Sequence, residues 1–229
     1  ERLHTESENW SELLKILRLK VAALHDVDEV SDARLQVAEL LELRFERQEE
    51  AIQEYQGILE GKPSELAALK GLERLHAQRQ SWQPLHDVLV RQYDLITMEK
   101  ERVSILLRLA SMLEEEFIKP EQAAERLEQA LQIEFNNEGA LRGLERLYRR
   151  MQRWPELIGA YERHAEASPD RGVKVECYAA IGDTYAGELK DVDRAIDNYL
   201  NLLSIDENNV PALDALTRLY EKREDYGQA

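Results

Sequence analysis

Gly143-Leu144-Glu145-Arg146-Leu147-Tyr148, followed by Arg149-Arg150-Met151-Gln152-Arg153-Trp154, is the stretch that decides the fold, because it recurs. Gly71-Leu72-Glu73-Arg74-Leu75-His76 leads to Trp82, and Ala215-Leu216-Thr217-Arg218-Leu219-Tyr220 leads to Tyr226. The chain opens on the same block with its front removed, Glu1-Arg2-Leu3-His4 leading to Trp10. Each step, Trp10 to Trp82 to Trp154 to Tyr226, is 72 residues. A fixed period of this size is the mark of a repeat architecture, in which each unit buries its apolar faces against its neighbours.

Working outward, the units run over 10–81, 82–153 and 154–225, and their apolar positions coincide. Ala38, Ala110 and Gly182 align, as do Leu41, Leu113 and Tyr185. So do Ala51, Ala123 and Ala195, and Tyr55, Leu127 and Tyr199. Small residues recurring at one place mark close helix approach, and large ones at another fill the space between. The 3.6-residue spacing of Leu, Ile and Ala predicts four helices per unit. In the second unit they fall near 82–96, 99–117, 120–133 and 138–151; in the third, near 154–167, 171–189, 191–204 and 210–223. In the first, Asn9 with Glu12 reads as a capping box, a helix follows near 31–47 after the break at His25-Asp26-Val27-Asp28, and Ser64 reads as the next cap. Pro84, Pro120, Pro155 and Pro211 fall in first turns, where a missing N–H costs nothing. Pro63 and Pro169 fall in connections. Short connections make successive helices antiparallel neighbours. The expectation is an all-α solenoid of stacked antiparallel helical hairpins, about twelve helices, read as one domain over 1–229 cut from a longer protein.

Composition agrees: of 229 residues 43% are hydrophobic and 33% charged, with few Gly and Pro. The net charge of −16 repels nucleic acid and anionic lipid surfaces, so direct nucleic-acid binding is not expected. No apolar run reaches the length of a spanning helix, so membrane insertion is not expected either. Cys177 is the one cysteine, which excludes an internal disulfide and points to a reducing, cytoplasmic setting; it reads as a small buried residue.

The run Ile181-Gly182, Tyr185, Ala195, Tyr199, then Leu203-Ser204-Ile205-Asp206-Glu207-Asn208-Asn209 resembles a tetratricopeptide (TPR) repeat, with Glu207 where that family places proline. Leu141, Leu144, Tyr148, Leu157 and Tyr161 resemble a second copy, with Glu145 at its small-residue position. Trp154-Pro155-Glu156-Leu157-Ile158-Gly159-Ala160-Tyr161-Glu162-Arg163 is also similar to the half-a-TPR variant of RNA-processing assemblies. The TPR resemblance implies a right-handed superhelix, lined inside by the first helix of each hairpin, that binds peptides or proteins. The family's chaperone-tail clamps use Lys and Asn where this chain has Ala179, Ala180 and Asp183, so that role is disfavoured.

No catalytic constellation, phosphate loop, cofactor motif or metal-ligand spacing occurs. His4, His25, His76, His86 and His164 are scattered; His4 and His76 share one repeat position, occupied elsewhere by Tyr, and read as core spacers. The regularly spaced Trp residues read as core also. Charge is more informative. Residues 10–81 hold 14 acids and 10 bases, 82–153 hold 13 and 11, and 154–225 hold 16 and 8. Arg142, Arg146, Arg149 and Arg153 recur at four, three and four residues, one helical stripe, with Arg150 beside it. On the TPR alignment Arg142, Arg146, Arg149 and Arg150 are groove-facing, with Lys70 and Arg74 one unit earlier and Arg218 one unit later. The related first helices carry Glu39 and Glu42, then Ser111, Glu114 and Glu115, then Glu176 and Asp183, which predicts alternating sign along the groove. The functional expectation is a non-catalytic scaffold holding a protein or peptide through these cations. The alternatives are an acidic assembly factor for basic partners, or a half-a-TPR component of an RNA-processing complex acting through protein contacts. Self-association through exposed repeat ends is a further expectation.

Overall fold

The computed structural model describes the backbone of residues 2–227 and the side chains of residues 9–223. Among these residues there are twelve α-helices and no strand. They are α1 (Arg2–Ala23), α2 (Val27–Leu43), α3 (Gln48–Gly61), α4 (Leu66–Gln78), α5 (Trp82–Leu95), α6 (Glu99–Glu115), α7 (Pro120–Ile133), α8 (Glu138–Arg150), α9 (Trp154–Ala167), α10 (Arg171–Thr184), α11 (Val192–Ile205) and α12 (Val210–Gly227). Packing divides the chain into two compact units, residues 1–101 and 102–229.

In the first unit, α2 and α3 form an antiparallel hairpin: Lys62, just past the end of α3, reaches Asp28 at the start of α2 at 2.8 Å. Its core joins Leu41, Ala51, Tyr55, Ile58, Leu69, Leu72 and Leu75, with Trp10 half-buried against it. Tyr55 lies across Gly71, where an added Cβ would stand 2.3 Å from the ring. The repeated glycine is therefore a consequence of the repeated large residue opposite it. In the second unit the same place pairs Gly143 with Leu127. The last copy has Ala215 there instead, and its Tyr199 covers Gly182.

Local chemistry accounts for the boundaries. Asp26 caps α2 by accepting from the amides of Asp28 and Glu29, and Asn137 caps α8 by accepting from Ala140. Pro120 and Pro155 stand in first turns of α7 and α9. Several helices stop at a residue in the left-handed region. These are Glu46, Ile118 and Lys190, 72 residues apart, and Gln80 and Gln152, also 72 apart.

The start of the chain differs from expectation. Helix α1 runs through Asn9, which does not cap, and Trp10 lies inside it, whereas Trp82 and Trp154 open α5 and α9. No Gly or Pro interrupts residues 1–23, so nothing local enforces a break. Helix α2 begins four residues earlier than expected because Asp26 is its cap, and α4 follows Glu65, not Ser64. The long helix expected over 171–189 ends in a π-helical turn, Tyr185–Leu189. Of the histidines, His76 is buried as a spacer should be; the side chain of His4 lies outside the described residues.

Candidate functional site

Helix α8 buries Ala140, Leu141, Gly143, Leu144, Leu147 and Tyr148 and turns its arginines outward. Burying each of those leucines contributes about 1.5–3 kcal/mol, so the helix's orientation is set by its apolar face and the arginines follow. They do not act as one strip. Arg142 bonds Glu138 one turn back at 2.8 Å. Arg146 lays its fork on Glu114 of α6, with Nη2 at 2.7 Å and Nε at 3.3 Å. Arg150 reaches the same carboxylate at 3.2 Å. Arg149 turns the other way, donating to the Tyr161 hydroxyl of α9 with its guanidinium over that ring. Arg153 pairs with Glu156 and stacks on Tyr148.

The Arg146 pairing repeats. Arg74 of α4 forks onto Glu42 of α2 at 2.7 and 2.8 Å. Both pairs are separated by 32 residues in the chain and join the first helices of successive hairpins. The arginine at this position, which no apolar packing pattern requires, thus has a structural partner. The alternation of sign expected from Glu42 and Glu114 resolves into cross-helix pairs. In each pair the carboxylate lies beneath and the guanidinium above: Glu42 and Glu114 side chains are 7% and 8% exposed, Arg74 and Arg146 50% and 61%. In the third copy the position of Glu42 and Glu114 is Ala186, and Arg218 has no ion-pair partner among the described residues. Arg218 instead borders a cavity of about 400 Å³ with Asp183, Tyr199 and Asn209. Lys70 is exposed and likewise without an ion pair among the described residues. The side chain of Arg2 lies outside them.

Burial pushes the Glu42 carboxyl up, but the hydrogen bonds from Arg74 and Tyr55 outweigh it and hold it below 4.5. On the hairpins' second helices, Glu128 of α7 is held low chiefly by the Arg163 fork from α9, at 2.7 and 2.8 Å, with the Tyr148 hydroxyl adding a third bond.

One further group comes together that no sequence motif announces. His164 Nδ1 of α9 lies 2.5 Å from Glu145 Oε1 of α8, and Cys177 of α10 completes a set whose nitrogen, oxygen and sulfur atoms all lie within 4.8 Å of one another. His164 and Cys177 are 4% and 3% exposed. Burial, with the charges of Glu145 and Glu176 adding to it, pushes the Cys177 thiol up to about 12, so alone it is a neutral thiol and not a nucleophile. The expectation of a small buried cysteine holds; the three residues come from three helices, so no local spacing in the sequence groups them.

Fold and repeat together define an all-α, TPR-like helical repeat protein. Within it, residues 140–174, helices α8 and α9 with the start of α10, match the tetratricopeptide repeat family. Among solved structures the chain is similar to YrrB, described as a TPR protein with an unusual peptide-binding site, at 17% identity, covering 80% of this chain and 90% of that one with a TM-score of 0.47. It is similar to MamA from Desulfovibrio magneticus RS-1 at 14% identity, covering 82% and 99%, TM-score 0.45. It is also similar to PilF of Pseudomonas aeruginosa at 15% identity, covering 96% and 92%, TM-score 0.44. No curated protein matches the sequence. Among the described residues no helix is long and apolar enough to cross a membrane.

Proposed function

We propose that the chain is a non-catalytic interaction scaffold. It holds a carboxylate-bearing peptide or protein segment on the face made by α6 and α8, first helices of successive hairpins and groove helices in the TPR resemblance. The observation that carries this reading is the layering of charge at Glu114. Two guanidiniums, Arg146 and Arg150, share one carboxylate. The carboxylate is covered, and the guanidiniums keep unpaired N–H groups toward solvent. A partner approaching there meets positive charge on a chain whose net charge is −16. Arg forks suit planar carboxylates. Arg142 extends this site, whereas Arg149, expected in the groove, turns to Tyr161 of α9 and leaves it; Lys70, Arg74 and Arg218 are the cations at the equivalent places of the other repeats.

The test keeps the Arg146–Glu114 lock intact and removes its neighbours, Arg142→Gln with Arg150→Gln. Binding of a fluorescent Glu-rich peptide, followed by anisotropy, should weaken at least tenfold and fall steeply with added salt. Unchanged affinity in the double variant refutes the site. The alternative, an acidic assembly factor, draws on the −8 balance of residues 154–225, which hold 16 acids and 8 bases. It predicts instead that a Lys-rich peptide binds tightly and that the double variant does not weaken it.

A further inference from the structure

The 72-residue repeat separates what the fold needs from what one copy adds. In the first unit Gln92 of α5 donates to Glu73 of α4 at 2.7 Å, and Gln92 is 2% exposed. One unit on, the same two positions are His164 and Glu145. A carboxylate bridging to a buried donor on the next helix is therefore part of the repeat. The second copy departs from it in one direction. Gln92 becomes His164, Leu89 becomes Tyr161, and the apolar Ala33 and Ile105 give way to Cys177. Each change brings in a side chain with a ligating atom, and His164 and Cys177 converge on Glu145. A core requirement explains the Glu–Gln bridge; it does not explain replacing its amide with imidazole while placing a thiol within reach.

We propose that Glu145, His164 and Cys177 form a binding site for one divalent transition-metal ion of the zinc type. Carboxylate, imidazole and thiolate are the donors that Zn²⁺ takes, at about 2.0–2.3 Å in a tetrahedron, which sets ligand atoms roughly 3.3–3.6 Å apart. The three atoms already lie within 4.8 Å, and the closest pair at 2.5 Å. Seating an ion needs the His164–Glu145 pair to open by roughly 1 Å and the Cys177 sulfur to come within roughly 3.6 Å of both. On binding, the ion displaces the proton of the Cys177 thiol to solvent and takes the thiolate as a ligand beside a Glu145 carboxylate oxygen and a His164 ring nitrogen. His164 also borders a cavity of about 390 Å³ shared with Asn136, Glu138, Arg142 and Asp170. The Tyr161 hydroxyl, anchored by Arg149, stands beside the set.

The test is titration of the metal-free full chain with Co²⁺ alone, then displacement by Zn²⁺. Site binding gives saturation at one equivalent, visible d–d bands of tetrahedral intensity and a thiolate-to-cobalt charge-transfer band, all abolished by one equivalent of Zn²⁺. Two variants restore residues that sister units already accommodate, Cys177→Ile and His164→Gln, so the fold is expected to survive; circular dichroism checks that it does. Cys177→Ile should lose the charge-transfer band, and both should weaken Co²⁺ binding at least about tenfold. No saturable Co²⁺ binding overturns the proposal. Binding without a charge-transfer band, or binding that both folded variants retain at full affinity, also overturns it, because the ion then sits on surface carboxylates.

Discussion

Replacing Arg74 should cost more than replacing the carboxylate it holds, although the two make the same ion pair. The Glu42 side chain is 7% exposed and Arg74 50%. In Arg74→Met the aliphatic stem still packs, but a nearly buried carboxylate keeps only the Tyr55 hydroxyl bond, 2.9 Å long. Stranding a fully buried charge costs about 3–5 kcal/mol. Water can enter where the half-exposed guanidinium stood, which brings the expectation to about 2 kcal/mol. In Glu42→Gln the shape is kept, the Tyr55 hydroxyl keeps an acceptor, and Arg74 turns to solvent; the expected loss is about 0.5–1 kcal/mol. The pH dependence supplies a second reading. In the native protein the Glu42 carboxyl is held below 4.5, so its stabilisation is complete above that pH and fades as pH falls through the lowered value. Without Arg74, the upward push of burial is opposed by Tyr55 alone, and protonation relieves the stranded charge. The cost of Arg74→Met should therefore shrink between pH 7 and pH 4, while that of Glu42→Gln should not grow. Urea unfolding of both variants at the two pH values measures this. Equal costs, or an Arg74→Met cost that does not change with pH, refute the layered geometry.

Four other outcomes are expected. Gly71→Ala places a methyl 2.3 Å from the Tyr55 ring, which is fully buried, and should destabilise by about 1–2 kcal/mol after its gain in helix propensity. Gly143→Ala meets a single Leu127 methyl at 2.6 Å, which a rotamer change relieves, and should be close to neutral in the same melt. Ile118→Gly should stabilise by about 0.5 kcal/mol, seen as a higher unfolding midpoint, since a β-branched residue at φ 52° is strained by more than glycine adds to the unfolded chain's entropy. Glu128→Gln should lower stability at neutral pH and flatten the loss below pH 4.5, because the native carboxyl, held low by Arg163, stabilises above its unfolded value and ceases to as it protonates.

Most of the helices were legible because their ends carry chemistry. Pro120, Pro155, Trp82, Trp154 and the period together locate α5 to α9 within two residues. Where the end depends on tertiary context, legibility fails. A capping box at Asn9 has the right residues, yet the helix runs through it; Ser64 loses to Glu65; and the π-helical turn at 185–189 has no residue pattern of its own. The site shows the same division. That Arg142, Arg146 and Arg150 share a helix was readable from spacing. Their destinations were not, since Glu114 lies 32 residues from Arg146 and no local rule pairs them. The pair was visible in one way only: Glu42 and Glu114 are themselves 72 residues apart, as Arg74 and Arg146 are.

That coincidence changes what repetition means for function. A residue recurring with its partner at the same period is held by the fold, and Arg146 with Glu114 meets that condition. In the third copy the lock position is Ala186, and there the chain has passed from α10 into the π-helical turn Tyr185–Leu189. Selective chemistry has to reside where a copy departs from its sisters. Arg149 and Arg150 stand where the chain has Ala77 and Gln78 one repeat earlier; His164, Tyr161 and Cys177 stand where it has Gln92, Leu89 and Ile105, also 72 residues earlier. These departures fall on or against the one segment, 140–174, that matches the tetratricopeptide repeat. Two of them, Arg149 and Tyr161, touch each other across α8 and α9. The basic surface of α8 and the buried Glu145–His164–Cys177 set are thus two sides of one modified hairpin. If an ion occupies the inner side, it fixes α8 against α9 and α10 and with them the direction of Arg149. Peptide affinity at the arginines should then respond to metal in the native chain and lose that response in Cys177→Ile, which leaves every arginine in place.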